Sequence, residues 1–176
     1  KPDAPSGAYW IETGFYEPVT GQRLAQYQND APAGSATLIG PLKVHGQAPI
    51  VASNAPPLAT FGDGILQLLA IDRQPGQVLL RWQALRTPPT DYTVFVHVLD
   101  AQGRLIAQND SPPQDGTYPM SLWDAGEIVD DRHAINLSGG AKLEIGLYAQ
   151  PDLQRLPALD TATGAQSDSI IVPAQP

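Results

Sequence analysis

Apolar and polar residues alternate along most of this chain, in runs of five to ten residues. In QVLLRWQAL, which starts at Gln77, Val78, Leu80, Trp82 and Ala84 fall on one side and Leu79, Arg81 and Gln83 on the other. A period of two marks a strand with one buried face. ILQLLAID from Ile65 follows the turn FGDG, and DYTVFVHVLD from Asp91 is apolar on both faces, which predicts a strand central in its sheet. That strand turns at DAQG into RLIAQND, with Gly103 where the backbone needs positive φ. EIVDDRHAINL from Glu127, AKLEIGLY from Ala141 and DSIIVP from Asp168 continue the pattern, and PIVAS from Pro49 is a short first strand. No stretch carries a 3.6-residue apolar period. About eight strands at roughly ten-residue spacing predict an all-β fold, a two-sheet antiparallel β-sandwich with immunoglobulin-like or jelly-roll connectivity.

One pattern occurs twice. WIETGFYEPVTGQRL from Trp10 and LEIGLYAQPDLQRL from Leu143 align Glu12 with Glu144, Gly14 with Gly146, Tyr16 with Tyr148 and Arg23 with Arg155, always 132 residues apart. The same offset sets the apolar run at Thr37 on that at Ser169. Ile11, Thr13 and Phe15 then match the apolar side of Leu143, Ile145 and Leu147, so both copies read as half-buried strands entering a hairpin. A constant offset of this kind predicts tandem modules. Residues 1–44 are expected to be the tail of a preceding homologous repeat, a hairpin plus last strand docked on the main body, and 45–176 a complete module. A lone hairpin is marginal in water, which is why docking on the complete module, or pairing with a neighbouring chain, is expected.

Composition narrows the classes of function. Eighteen acidic against ten basic residues give a net charge of −8 without any Lys/Arg cluster, so nucleic acid is excluded as an expected partner. The lack of cysteine excludes disulfides, thiol catalysis and thiolate metal sites. No run approaches the roughly 20 apolar residues of a spanning helix, so direct membrane insertion is not expected, and KPDAPSG lacks the apolar core of a signal peptide. The chain is expected to be cut from a longer one.

Candidate chemistry is sparse. Glu12 and Glu144 occupy equivalent outward positions, which reads as sheet surface. Glu127 with Asp130 or Asp131 lacks the apolar pocket that would raise one carboxyl for glycoside hydrolysis. In DDRH from Asp130, Asp131 and His133 share a face with Val129, Ile135 and Leu137, predicting a buried polar network that takes in His97 from the central strand. A calcium or transition-metal site is the alternative, but two clustered ligands are fewer than either ion needs. No G-x-S-x-G elbow or Gly-rich phosphate loop occurs, and no metal or cofactor is expected. The long segment SPPQDGTYPMSLWDAG, residues 111–126, sets Tyr118 and Trp123 beside Asp115 and Asp124, the residue types of a sugar-binding surface. The competing reading, and the favoured one, is that Trp123 folds back to plug the end of the sandwich.

The hairpin at 94–108, the loop and strand at 118–133 and the G-x-Y…RL hairpins together resemble a soluble module at the carboxyl end of large bacterial membrane proteins. Those proteins are similar to glycosyltransferase family 39, the polyprenyl-phosphate-sugar-dependent class related to protein mannosyltransferases and the lipid A aminoarabinose transferase. The resemblance covers about residues 60–172. GFYEPVTGQRL from Gly14 fits the family's hairpin pattern better than GLYAQPDLQRL from Gly146, so the second turn is expected to differ in shape. The resemblance implies a non-catalytic accessory or interaction domain on the extracytoplasmic face of a bacterial membrane, anchored through its parent protein. Catalytic acids of such proteins lie in the membrane-embedded part, so this fragment is not expected to be an enzyme. Its implied partners are the other domains of the parent. The alternative is a carbohydrate-binding module using the 111–126 loop.

Overall fold

The computed structural model describes residues 4, 6–45 and 56–175; the predicted strand PIVAS lies outside them. The chain divides into two compact units, Lys1–Gly46 and Gln47–Pro176.

In the first unit β1 (Gly7–Thr13), β2 (Tyr27–Gln28), β3 (Ala31–Pro32) and β4 (Thr37–Val44) form two small antiparallel pairs, β1 with β4 and β2 with β3. Ile11 pairs with Ile39 and Thr13 with Thr37, and a bulge interrupts the register between Tyr9 and Ile11. The predicted hairpin is present: Tyr16 bridges Arg23, and Leu24 N–H donates to the Phe15 carbonyl at 2.9 Å. The expected half-burial of this copy is not. Ile11, Thr13 and Phe15 are all exposed, and among the described residues β4 is the only strand paired with β1.

The second unit is the sandwich. Its strands are β5 (Ala59–Phe61), β6 (Leu66–Gln74), β7 (Gln77–Ala84), β8 (Tyr92–Leu99), β9 (Leu105–Ser111), β10 (Ile128–Ala134), β11 (Lys142–Ala149), β12 (Gln154–Arg155), β13 (Ala158–Asp160), β14 (Gln166–Ser167) and β15 (Ile170–Pro173). One sheet runs β10-β7-β6-β5-β13-β14, and the other runs β12-β11-β8-β9. The far edge of β11 is shared: β15 takes Lys142 to Ile145 and β12 takes Tyr148 and Ala149. All pairings are antiparallel, and the chain changes sheets four times between β7 and β13.

Alternation decides what is buried. Val78, Leu80, Trp82 and Ala84 of β7 are inside, as their period of two predicts, and Trp82 meets Phe61 edge-on with ring centroids 5.5 Å apart. From the facing sheet come Val94, Val96, Val98, Leu143, Ile145 and Leu147, all buried. β8 lies between β9 and β11, which explains its double-sided apolar run. Gly103 has φ 78° in the β8–β9 turn, and the Asp100 carboxylate accepts the Gln102 and Arg104 amides at 2.9 Å to hold that turn.

Candidate functional site

The crossing from β9 to β10 carries the long loop that the sequence singles out. A left-handed turn at Pro113–Gly116 and a 3₁₀ turn at Met120–Leu122 fold it back on itself, and the side chains of Tyr118, Met120 and Trp123 go inward. Trp123 is fully buried and donates its indole N–H to the Tyr118 carbonyl at 3.3 Å. The Tyr118 hydroxyl donates to Glu127, a buried carboxylate whose other oxygen accepts the Asp124 amide at 2.7 Å. Burial, reinforced by Glu127, pushes the Tyr118 phenol far above its ordinary range. Both rings are therefore spent on closing the sandwich, and neither can lie against a sugar. Asp115 is exposed and Asp124 partly buried, with no exposed ring of this loop beside them.

The 114–116 corner is held from below. Gln114 and Asp115 have φ 51° and 54°, in the left-handed region that side chains disfavour. Asp131 compensates: its Oδ1 accepts the Gln114 amide at 2.8 Å, and Gln114 Nε2 donates to the Asp130 carbonyl at 3.1 Å. Asp131 Oδ2 lies 2.8 Å from His133 Nε2, and His133 Nδ1 lies 2.8 Å from Asn109 Oδ1. Asn109 Nδ2 adds a bond to the Ala134 carbonyl at 3.3 Å. Asn109 comes from β9 and His133 from β10, edge strands of opposite sheets, so this chain of bonds ties one open side of the sandwich together.

His97 is not in that network. It lies on the outer side of the five-stranded sheet, Nδ1 3.2 Å from Glu144 and Nε2 3.2 Å from Asp110. Glu144 also accepts from Ser169 at 3.0 Å and from Arg155 at 3.2 Å, while the Arg155 guanidinium sits 4.3 Å from the centre of the Phe95 ring. Burial raises the Glu144 carboxyl, but hydrogen bonds from His97 and Ser169 and the charge of Arg155 outweigh it, leaving it below the usual carboxylate value. The two carboxylates meet opposite nitrogens of one imidazole, so they diverge. Among the described residues no group of three or more His, Asp or Glu side chains is arranged to hold a metal ion.

Glu144 looks like plain sheet surface in the sequence and is instead the hub of this cluster. Its signal was present: Glu precedes Arg by eleven residues in both copies of the repeated hairpin, Glu12 with Arg23 and Glu144 with Arg155, and both pairs are bonded. Asn109 was also legible, because the period of two in β9 puts it on the inward side with Ala107 and Ser111.

A cleft of about 260 Å³ between the β5–β6 turn and β13 is lined by Thr60, Asp63, Gly64, Pro157, Leu159 and Gln166 and holds one carboxylate and no ring. Two further hollows lie in the first unit, around Phe15. No family model, curated protein sequence or solved structure matches the chain.

Proposed function

We propose that this chain is a non-catalytic accessory domain, acting as a spacer or interaction module on the extracytoplasmic face of a bacterial membrane within a glycosyltransferase-like parent protein. One observation carries the non-catalytic part: the residues that could have formed a site are occupied in holding the fold. Trp123 and Tyr118 fill the end of the sandwich, Glu127 binds Tyr118 and the 124 amide, Asp131 binds His133 and the 114 amide, and Glu144 clasps His97 and Arg155. A general acid needs a carboxyl in an open cleft with its proton free to move. Here the buried carboxylates face backbone amides and fixed side chains.

Location and company rest on the resemblance of the 94–108 and 118–133 segments to the membrane-protein module. Protease treatment of intact spheroplasts of the native host tests them. The account expects an antibody against residues 56–175 to find the protein in the membrane fraction and to lose its signal when protease is added outside. A signal in the soluble fraction that survives external protease contradicts it.

A further inference from the structure

The first unit repeats several bonds of the end of the sandwich, yet among the described residues it lacks the strands that cover that end. Leu24 N–H donates to the Phe15 carbonyl at 2.9 Å, and Leu156 N–H donates to the Leu147 carbonyl at 2.8 Å. Tyr16 bridges Arg23 as Tyr148 pairs with Arg155. Arg23 binds Glu12 as Arg155 binds Glu144. At Gly14 and Gly146 a Cβ would stand 2.6 Å and 3.0 Å from the Ser35 and Asp168 carbonyls, which lie just ahead of β4 and β15, so both hairpins have a glycine where that segment approaches; at Gly146 the Phe95 ring stands closer still. Each of these pairs keeps the 132-residue offset except the last carbonyls, which differ by the one residue that also separates the β1–β4 and β11–β15 registers.

Burial separates the copies. Leu143 and Leu147 are 0% exposed, and their counterparts Ile11 and Phe15 are 51% and 80% exposed. In the complete copy two things cover these positions: β8, hydrogen-bonded along the whole of β11, and the inner face of the six-stranded sheet. β1 has its downstream partner β4, but nothing pairs with its other edge among the described residues.

We propose that the edge of β1 opposite β4 and the apolar face formed by Ile11, Phe15 and Leu24 are an acceptor for the preceding half of another sandwich, supplied by a segment of the same polypeptide that comes before residue 7. That segment would contribute a β8-type strand antiparallel to β1 and an apolar sheet over Phe15. The order of the complete copy argues for this source, since there the covering strands β5 to β10 all precede the hairpin in the chain. A second copy of residues 56–175 cannot supply that strand from β8. Its β8 is already bonded on both edges, to β9 and to β11. The inference is independent of the membrane assignment.

Amide hydrogen exchange, read on the 176-residue chain and on the natural polypeptide from the host, tests it. The expected result is slow exchange at 142–147 in both, and at 7–15 slow exchange only in the natural polypeptide. Equal exchange of 7–15 in the two samples overturns the proposal. Phe15→Asp provides the second arm. It should leave the unfolding midpoint of the 176-residue chain unchanged and lower that of the natural polypeptide. A lowered midpoint in the 176-residue chain would mean that the face is already covered there. A concentration-dependent dimer of the 176-residue chain, lost in Phe15→Asp, would assign the face to a second copy. Either result overturns the proposal.

Discussion

Asp131 and His133 stand two residues apart on β10, both fully buried, with carboxylate Oδ2 and imidazole Nε2 2.8 Å apart. Strand geometry puts residues i and i+2 on one face, so the pairing follows from the sequence spacing alone. What the spacing does not reveal is that each residue spends its other polar atom on a different element, Asp131 on the 114 corner and His133 on Asn109 of β9. The pair is thus a cross-tie between the sheets and the anchor of the long loop.

Removing Asp131 strands its partners. Asp131→Ala leaves the fully buried His133 Nε2 without its partner and takes the acceptor from the part-buried Gln114 amide, and a buried orphan of this kind costs about 1–3 kcal/mol. The expected loss in equilibrium unfolding is about 3 kcal/mol. In a double-mutant cycle with His133→Ala the two changes should be less than additive, because the second removes a partner already lost. Additive effects, or a loss under about 1 kcal/mol, would mean that the pair does not support the loop.

Acid should loosen the His97 cluster. Glu144 is held below its ordinary value of 4.5, which means that folding favours its ionised form. Its contribution is therefore fully present above that value and is lost as pH falls through the lower, folded-state one. Denaturant midpoints measured from pH 6 down to pH 3 should fall less steeply in Glu144→Gln than in the parent chain. Parallel curves would show that His97, Ser169 and Arg155 do not stabilise the carboxylate.

The second hairpin carries strain that the first avoids. Leu153 has φ 55° and occupies the position of Gly21, which has φ 71°. The departure of AQPDL from EPVTG is thus tolerated at a cost: a left-handed leucine is disfavoured by about 1–2 kcal/mol, partly offset by the flexibility a glycine adds to the unfolded chain. Leu153 is exposed, so little packing is lost on substitution. Leu153→Gly should raise stability by about 0.5–1 kcal/mol. A thermal scan with a lowered midpoint would show that the leucine side chain contributes more than its backbone costs.

Much of the fold was legible because the strands obey simple periods. Alternation in 77–84 placed Trp82 inside, the double-sided run of 92–99 placed β8 centrally, and the turn at Gly103 was marked by its residues. Less legible was the side on which a residue type finds its work. His97 shares the chemistry of His133, yet the period of β8 that buries Val96 and Val98 turns His97 to the outer side, so it joins Glu144 instead. The exposure of Ile11 and Phe15 was hidden for a different reason. Local pattern says which face of a strand is apolar, and says nothing of whether a covering sheet is at hand. Trp123 was ambiguous for the same cause, since a loop tryptophan among Pro, Gly and Asp suits both a binding surface and a plug.

The loop's role as a plug is the claim on which the functional reading turns, and the unfolding free energy of Trp123→Ala tests it most directly. A fully buried tryptophan that closes the end of a sandwich should cost about 3–5 kcal/mol when cut to alanine. That loss, seen as a lower denaturant midpoint with an unchanged slope, is the result the account predicts. An unchanged midpoint would contradict it, leaving Trp123 free to serve a ligand.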